Sequence, residues 1–548
     1  MSRGPVVLIF FAMTLLLSTG SATGQEHSDT DSLTDLRSRL EQAESSGDLV
    51  ALAELYDDDI VYQSPETAPV VGSDAVLALW RLFMDRAALS SSYSSAGLRV
   101  WDDEGEDRGV VVQEYTLHDG GEKTADTLHY TLRYTRTSSG TWKITSVLYA
   151  DNPNADFRIP QLLPPTGPYR VGVLGLQAVD STRAEALTEN PSDLRSVSAQ
   201  VWYPARPDNS ARPEKYRTRE MVRAVASFLE WPILFNSFLE VVDSHSFPAS
   251  APDRHDAPYP VVLYHHGYGG FTRVHVALIE DLVSHGYVVA SIGHAFESAF
   301  LEMPSGGLNL FGRENPAYAQ RLEEAHGEEQ ERLKDRILEA QSIEDQSDAY
   351  RALHSASPRH QESTRTWSAD GSFVLDRLAR LNTSEGPLEG LLDLARVGAI
   401  GHSLGGAAAG QEVADDPRVI AGVDLDGFMF GDLIDADSDA PFMFVSAARS
   451  WAGIGGSALT VFFERSAGPS YLVVIDGFEH GTFTDLPLFA SAWPGENTDV
   501  DGARAMEIQR TYVRAFFDRH LQNADAPLLD GTSHKFPEVS IRARNVSH

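Results

Sequence analysis

Ser403 sits in Val397-Gly398-Ala399-Ile400-Gly401-His402-Ser403-Leu404-Gly405-Gly406-Ala407-Ala408-Ala409, where an apolar run enters a glycine-flanked serine and a small-residue run leaves it. That is the strand-turn-helix setting of a nucleophile elbow, in which the serine hydroxyl is presented on a sharp turn. The flanking Gly401 and Gly405 fit a turn in which strand and helix approach too closely for side chains. Ser403 is therefore the candidate nucleophile, and acyl transfer the candidate chemistry.

Such a nucleophile needs an oxyanion site, a base and an acid that orients the base. After Val261-Val262-Leu263-Tyr264 comes His265-His266-Gly267-Tyr268-Gly269-Gly270, where glycines allow backbone N–H groups to point inward. The N–H groups of Tyr268 and Leu404 are the expected oxyanion donors. His265 and His266 beside them read as structural. His480 follows the run Tyr471 to Ile475 within Asp476-Gly477-Phe478-Glu479-His480-Gly481 and is the expected base. His294 and His402 are expected to bond neighbouring backbone. For the acid, the run Pro441 to Ser446 ends in Ala447-Ala448-Arg449 with no carboxylate, whereas the preceding one ends Asp424-Leu425-Asp426-Gly427. Asp426 stands nearer the carboxyl end of its strand and precedes a glycine, so it is preferred, with Asp424 as the alternative.

These groups need elements to hold them. Strand-like runs at Val171 to Val179, Val197 to Tyr203, Val261 to Tyr264, Tyr287 to Ile292, Val397 to Ile400, Val419 to Leu425, Phe442 to Ser446 and Tyr471 to Ile475 alternate with helical segments from the third onward. The pattern predicts an α/β unit over residues 169–548, a mostly parallel sheet with helices on both faces. The chain order Ser, Asp, His is that of α/β-hydrolases. Met221 to Phe238 is strongly aromatic and reads equally as acyl-pocket wall, lipid-touching surface or core. Ala317 to Arg351, rich in Glu, Gln and Arg, reads as a solvated helical insertion.

Upstream, Leu33, Leu36, Leu40, Leu49, Leu52 and Leu55 recur at helical spacing around Ser45-Ser46-Gly47-Asp48, predicting two helices. A strand from Ile60, a helix after Gly72-Ser73 and four strands from Tyr93 to Tyr149 follow. This predicts a separate α+β unit at 30–152, a curled antiparallel sheet in which Asp57, Asp58 and Asp59 are the solvated end of a helix and Tyr130 and Tyr134 are core. Acid–base chemistry there would need a carboxylate and proton donors converging inside the cone. The prolines at 153, 160, 164, 165 and 168 predict an extended linker at 153–168 that packs with neither unit.

The chain has 548 residues, 42% hydrophobic and 22% charged, which suits two folded units. A net charge of -35 repels phosphate backbones and sets nucleic acid aside as a partner. Arg3, the apolar core Val6 to Leu17 and Ala22-Thr23-Gly24 predict a secretion signal at 1–24, hence a secreted or periplasmic protein. The rest of the chain holds no run of about 18 apolar residues, so no stable membrane span is expected. Without cysteine, no disulfide can form.

Pro260 to Gly269, Ser284-His285-Gly286-Tyr287-Val288-Val289-Ala290, Gly401-His402-Ser403-Leu404-Gly405-Gly406 and Leu425-Asp426 together resemble the platelet-activating-factor acetylhydrolase family of serine lipases over about 350 residues. The resemblance implies hydrolysis of short or oxidised acyl chains from phospholipids without metal or cofactor, in a family whose relatives include general esterases and polyester hydrolases. Residues 30–152, with Tyr56, Asp59, Tyr62, Val71-Gly72 and Gly140-Thr141-Trp142-Lys143-Ile144, resemble the SnoaL and ketosteroid-isomerase-like cone fold, which implies a ligand-binding or homodimerising module. The expected function is an exported serine ester hydrolase acting on a small-molecule or lipid ester through Ser403, His480 and Asp426. The alternatives are a serine peptidase or amidase on the same fold, or an inert hydrolase fold in a ligand-binding protein.

Overall fold

The computed structural model describes residues 22–546 apart from 66–67, 119–122, 157–158, 234–235, 304–306, 312–315, 437 and 493–499. The expected secretion signal falls outside the described residues except for Ala22 to Gly24, which open a helix. The chain divides into two compact units, Met1–Arg158 and Ile159–His548.

In the first unit the helices Ala22–Ser46 and Leu49–Leu55 meet at Asp48, whose carboxylate caps the second by accepting from the Val50 and Ala51 N–H groups. Leu33, Leu36, Leu40, Leu52 and Leu55 are buried, as their spacing requires. The strands are β1 (Tyr56–Gln63), β2 (Val70–Val71), β3 (Ala87–Trp101), β4 (Glu104–Leu117), β5 (Thr124–Arg136) and β6 (Trp142–Ala150), in the order β2-β1-β6-β5-β4-β3. Only β1 and β6 pair in parallel. Asp57 to Asp59 lie on β1 rather than at a helix end, because Tyr56, Ile60 and Tyr62 bury their side chains and draw the segment into the sheet. Inside the cone Glu44 accepts from the Tyr93 hydroxyl at 2.9 Å and the Tyr149 hydroxyl at 2.8 Å, and all three side chains are buried. Burial pushes the Glu44 carboxyl up to about 7.

The second unit holds β7 (Arg170–Ala184), β8 (Leu194–Ala205), β9 (Ser246–Pro248), β10 (Tyr259–His265), β11 (Val288–His294), a hairpin of β12 (Phe300–Glu302) and β13 (Leu308–Leu310), β14 (Leu392–His402), β15 (Val419–Leu425), β16 (Phe442–Ala447), β17 (Ser470–Ile475) and β18 (Val539–Arg544). The large sheet runs β18-β17-β16-β15-β14-β10-β11-β8-β7-β9. It is a mixed sheet with a parallel central block. From β17 to β11 every pairing is parallel, but β18 and β8 join the two ends of that block antiparallel, and β7 and β8 pair antiparallel. The short connection 185–193 permits only the antiparallel arrangement of β7 and β8, since a parallel neighbour requires a crossover of about a dozen residues or more.

Two further expectations are corrected. Residues 162–167 do not stand off as a spacer: Arg510 donates to the Leu163 and Pro164 carbonyls, and Thr166 and Gly167 bond Asp281 and Ser284. Prolines cannot donate, but their carbonyls accept, so a proline-rich strand can still dock. The insertion read as solvated forms the helices Pro316–His326, Glu328–Glu339 and Ile343–Ser355, whose Leu333, Ile337, Ala349 and Tyr350 enter the main core. Its charged faces hide a narrow apolar stripe. Among the described residues no helix is long and apolar enough to cross a membrane.

Candidate active site

Ser403 stands between β14 and the helix Leu404–Asp415 with φ 58° and ψ −124°. A non-glycine residue held there costs on the order of 1–3 kcal/mol and persists only where its surroundings impose it. They do so here. The Ser403 N–H donates to the Leu425 carbonyl at 3.0 Å, and Gly406 N–H donates to the Ser403 carbonyl at 3.0 Å. A Cβ at Gly401 would lie 2.0 Å from the Gly405 carbonyl oxygen, and one at Gly405 would lie 2.2 Å from that of His265. The close pass of Gly405 brings the end of β10 against the elbow, so the turn 266–270 adjoins Ser403.

His480 opens a short 3-10 turn, His480–Phe483, beyond β17; Glu479 and Thr482 cap it reciprocally. Its Nδ1–H donates to Asp426 Oδ2 at 2.8 Å. The His480 side chain is 53% exposed and that of Asp426 1%. His402 Nε2 donates to the His480 carbonyl at 3.0 Å, so this histidine bonds backbone as expected. The Ser403 hydroxyl and His480 Nε2 make no hydrogen bond among the described residues. Catalytic contacts of this kind commonly tighten only when substrate binds.

Asp426 also accepts from Ala447 N–H at 2.9 Å, the Ser446 hydroxyl at 3.2 Å and the Ser450 hydroxyl at 2.8 Å. Burial pushes its carboxyl up, but His480 and these donors outweigh burial and hold it below the usual range. The strand that lacks a carboxylate, β16, thus contributes donors instead. Asp424 lies beneath the elbow, fully buried, with Oδ1 taking Gly427 N–H at 2.9 Å and Oδ2 without a partner. Burial, reinforced by the charge on Asp426, drives its carboxyl well above normal. Among the described residues it makes no hydrogen bond to His480, whereas Asp426 does.

Neither Tyr268 N–H nor Leu404 N–H has an acceptor among the described residues, and the two side chains pack in one apolar cluster with Trp367, Ala408 and Phe430. Two N–H groups left open beside a strained serine can bind a developing oxyanion. His265 and His266 are both buried, and burial pushes His266 down to about 4. His294 differs from expectation: its ring bonds side chains, Nδ1 donating to Asp370 at 2.9 Å and Nε2 facing His265 Nδ1 at 3.2 Å, while Trp367 stacks on it at 3.9 Å. Arg195 in turn grips Asp370 with two hydrogen bonds.

Sequence reasoning missed Asp370, Arg195, Glu297 and Arg321, which surround the site from behind. Each pairs with a residue far along the chain, and no local signal marks it. In the aromatic segment Met221, Val222 and Phe238 are buried, Trp231 is exposed, and Leu234 and Phe235 lie outside the described residues. Among the described residues no cluster of His, Asp and Glu is arranged to hold a metal ion.

Residues 38–144 match the SnoaL-like domain. Residues 155–532 match the family described as platelet-activating factor acetylhydrolase, isoform II. The platelet-activating factor acetylhydrolase of Cavia porcellus is 22% identical over 68% of this chain and 83% of its own. That of Bos taurus is 23% identical over 63% of this chain and 78% of its own. A solved ferulic acid esterase from Streptomyces cinnamoneus is 28% identical, with a TM-score of 0.55 over 70% of this chain and 99% of its own. With more than half its length matched by one family of acetylhydrolases, the chain is an ester hydrolase and belongs to the platelet-activating factor acetylhydrolase isoform II family.

Proposed function

We propose that this protein is an exported serine carboxylic-ester hydrolase of the α/β-hydrolase fold. Ser403 attacks the ester carbonyl while His480 Nε2 takes its proton, and the tetrahedral oxyanion is held by the N–H groups of Tyr268 and Leu404. Proton return from His480 expels the alcohol and leaves an acyl-enzyme, which water activated by the same histidine hydrolyses. Asp426 keeps the Nδ1 proton in place and stabilises the imidazolium. The observation that carries the reading is the 2.8 Å His480–Asp426 bond, made by a half-exposed imidazole with a free Nε2, in a site built around a strained serine. The substrate class is a small or lipid ester.

A panel of aryl esters of increasing acyl length, a short-acyl phospholipid and methyl ferulate tests it. The expected outcome is turnover that Ser403→Ala abolishes, together with fluorophosphonate labelling of wild type and none of the variant. Turnover of matched amides at the rate of esters would overturn the ester assignment.

A further inference from the structure

The turn that carries Tyr268 is gripped from the side away from Ser403. Gly269 N–H donates to the Glu297 carbonyl at 2.8 Å, Ala299 N–H to the Gly270 carbonyl at 2.9 Å, and His266 Nε2 meets the Ser298 hydroxyl at 2.8 Å. The gripping turn, 295–299, is itself unusual, with Phe296 at φ 65°. It keeps that shape through the Glu297 carboxylate, which accepts from Trp367 Nε1 at 2.7 Å, from Arg321 Nη2 at 2.5 Å and from the Ser363 hydroxyl. Arg321 comes from the insertion helix Pro316–His326, is 5% exposed, and lays its guanidinium over the Tyr268 ring 4.2 Å from the centroid. Tyr318 of the same helix stacks with Tyr268 at 5.9 Å. Among the described residues the Arg321 Nε and Nη1 have no hydrogen-bond partner, and the Tyr268 ring lies against the guanidinium.

We propose that Arg321 is a positioning residue for the oxyanion turn. It acts on that turn twice: through Glu297, whose carbonyl fixes Gly269, and through the ring of Tyr268, whose N–H has no acceptor among the described residues in a turn that adjoins Ser403. The proposal rests on the reading of Ser403 and the Tyr268 N–H given above. A planar guanidinium suits both tasks, since Nη2 meets the carboxylate while the face meets the ring. A donor displaced by a fraction of an ångström from the oxyanion loses most of its effect on the transition state and little on substrate binding.

The structure also offers a means of testing position apart from stability. Arg321, Glu297, Ser363, Arg359, Glu362 and Thr366 help to line a cavity of about 230 Å³, through which a small cation can reach the place of a deleted guanidinium. In the full-length protein, Arg321→Ala is expected to lower kcat about 10- to 100-fold with KM little changed. Guanidinium chloride at sub-denaturing concentration should restore much of that kcat, whereas sodium chloride at the same ionic strength should not, and wild type should not respond. Arg321→Lys, which keeps charge but not the fork, should fall between and resist rescue. Should Arg321→Ala fail to fold, Glu297→Gln replaces it, with a smaller fall in kcat expected.

A folded Arg321→Ala enzyme with wild-type kcat overturns the proposal. So does a loss of kcat that guanidinium leaves untouched while the melting temperature falls, for that is the signature of packing alone. Activity surviving in Ser403→Ala would strike the reading of the site instead, whatever Arg321 does.

Discussion

Among the imidazole–carboxylate pairs of the second unit, two are almost identical in geometry and opposite in circumstance. His480 donates to Asp426 at 2.8 Å and His294 donates to Asp370 at 2.9 Å. His480 is half-exposed with Nε2 open, whereas the His294 side chain is fully buried with Nε2 facing His265. Burial drives His294 well below its ordinary value although Asp370 pulls the other way. Asp370 is itself buried, but Arg195 and His294 overcome that burial and keep it ionised. Since Asp370 must accept, the proton of His294 sits on Nδ1 and its Nε2 accepts from His265. Burial pushes the Glu412 carboxyl up, and its Oε2 meets His265 Nε2 at 2.9 Å. Every nitrogen in that chain is committed. The contrast teaches that a carboxylate partner does not make a base; a free nitrogen within reach of substrate and water does.

The comparison can be broken at its acid. Asp426→Asn should lower kcat on the order of 10⁴-fold by giving His480 the wrong tautomer, with the fold retained. Asp424→Asn, beneath the same turn, should retain most turnover because a neutral amide replaces a carboxyl already driven toward neutrality. The reverse ranking would transfer the acid's role to Asp424.

The buried pair should fail differently. Asp370→Asn leaves Arg195 and Arg183 without their shared carboxylate, a loss of about 3–5 kcal/mol by the usual cost of a broken buried ion pair. Urea denaturation should show that loss, while kcat of the protein that remains folded should stay within about tenfold of wild type. A 10⁴-fold fall in kcat with unchanged stability would erase the distinction between the pairs.

A third buried carboxyl, Glu44 in the first unit, has neither imidazole nor guanidinium hydrogen-bonded to it and sharpens the comparison from the neutral side. Its value rises to about 7, so the folded state holds a proton that the unfolded chain has released above pH ~4.5. Stability should therefore decline as pH rises from about 5 to 7 and level off above, by up to about 3 kcal/mol. Glu44→Gln should flatten that slope in the denaturation of the full chain. A slope of unchanged steepness would assign the titration to another group.

What the sequence made legible was local. Ser403, Asp426 and His480 each follow an apolar run within a few residues, and the sheet register brings those strand ends side by side. Strand periodicity put Asp424 and Asp426 on one face, and only the carboxyl-end position of Asp426 and the glycine after it favoured the residue that bonds His480. Partnerships across long stretches were not legible: Arg195 and Asp370 are 175 positions apart, and Arg321 is one cation in a helix whose composition reads as solvated. Short edge strands were invisible too, since β9 and β18 lack a sustained apolar run. Nothing in Glu44 distinguished it from the exposed acids beside it, because its partners Tyr93 and Tyr149 reach it only after the cone closes.

His402 precedes the serine on the same strand end, yet its ring hydrogen-bonds the main chain of His480. Hence the loop bearing His480 is moored to the strand end that carries Ser403 by a bond that involves neither the Ser403 hydroxyl nor the His480 ring.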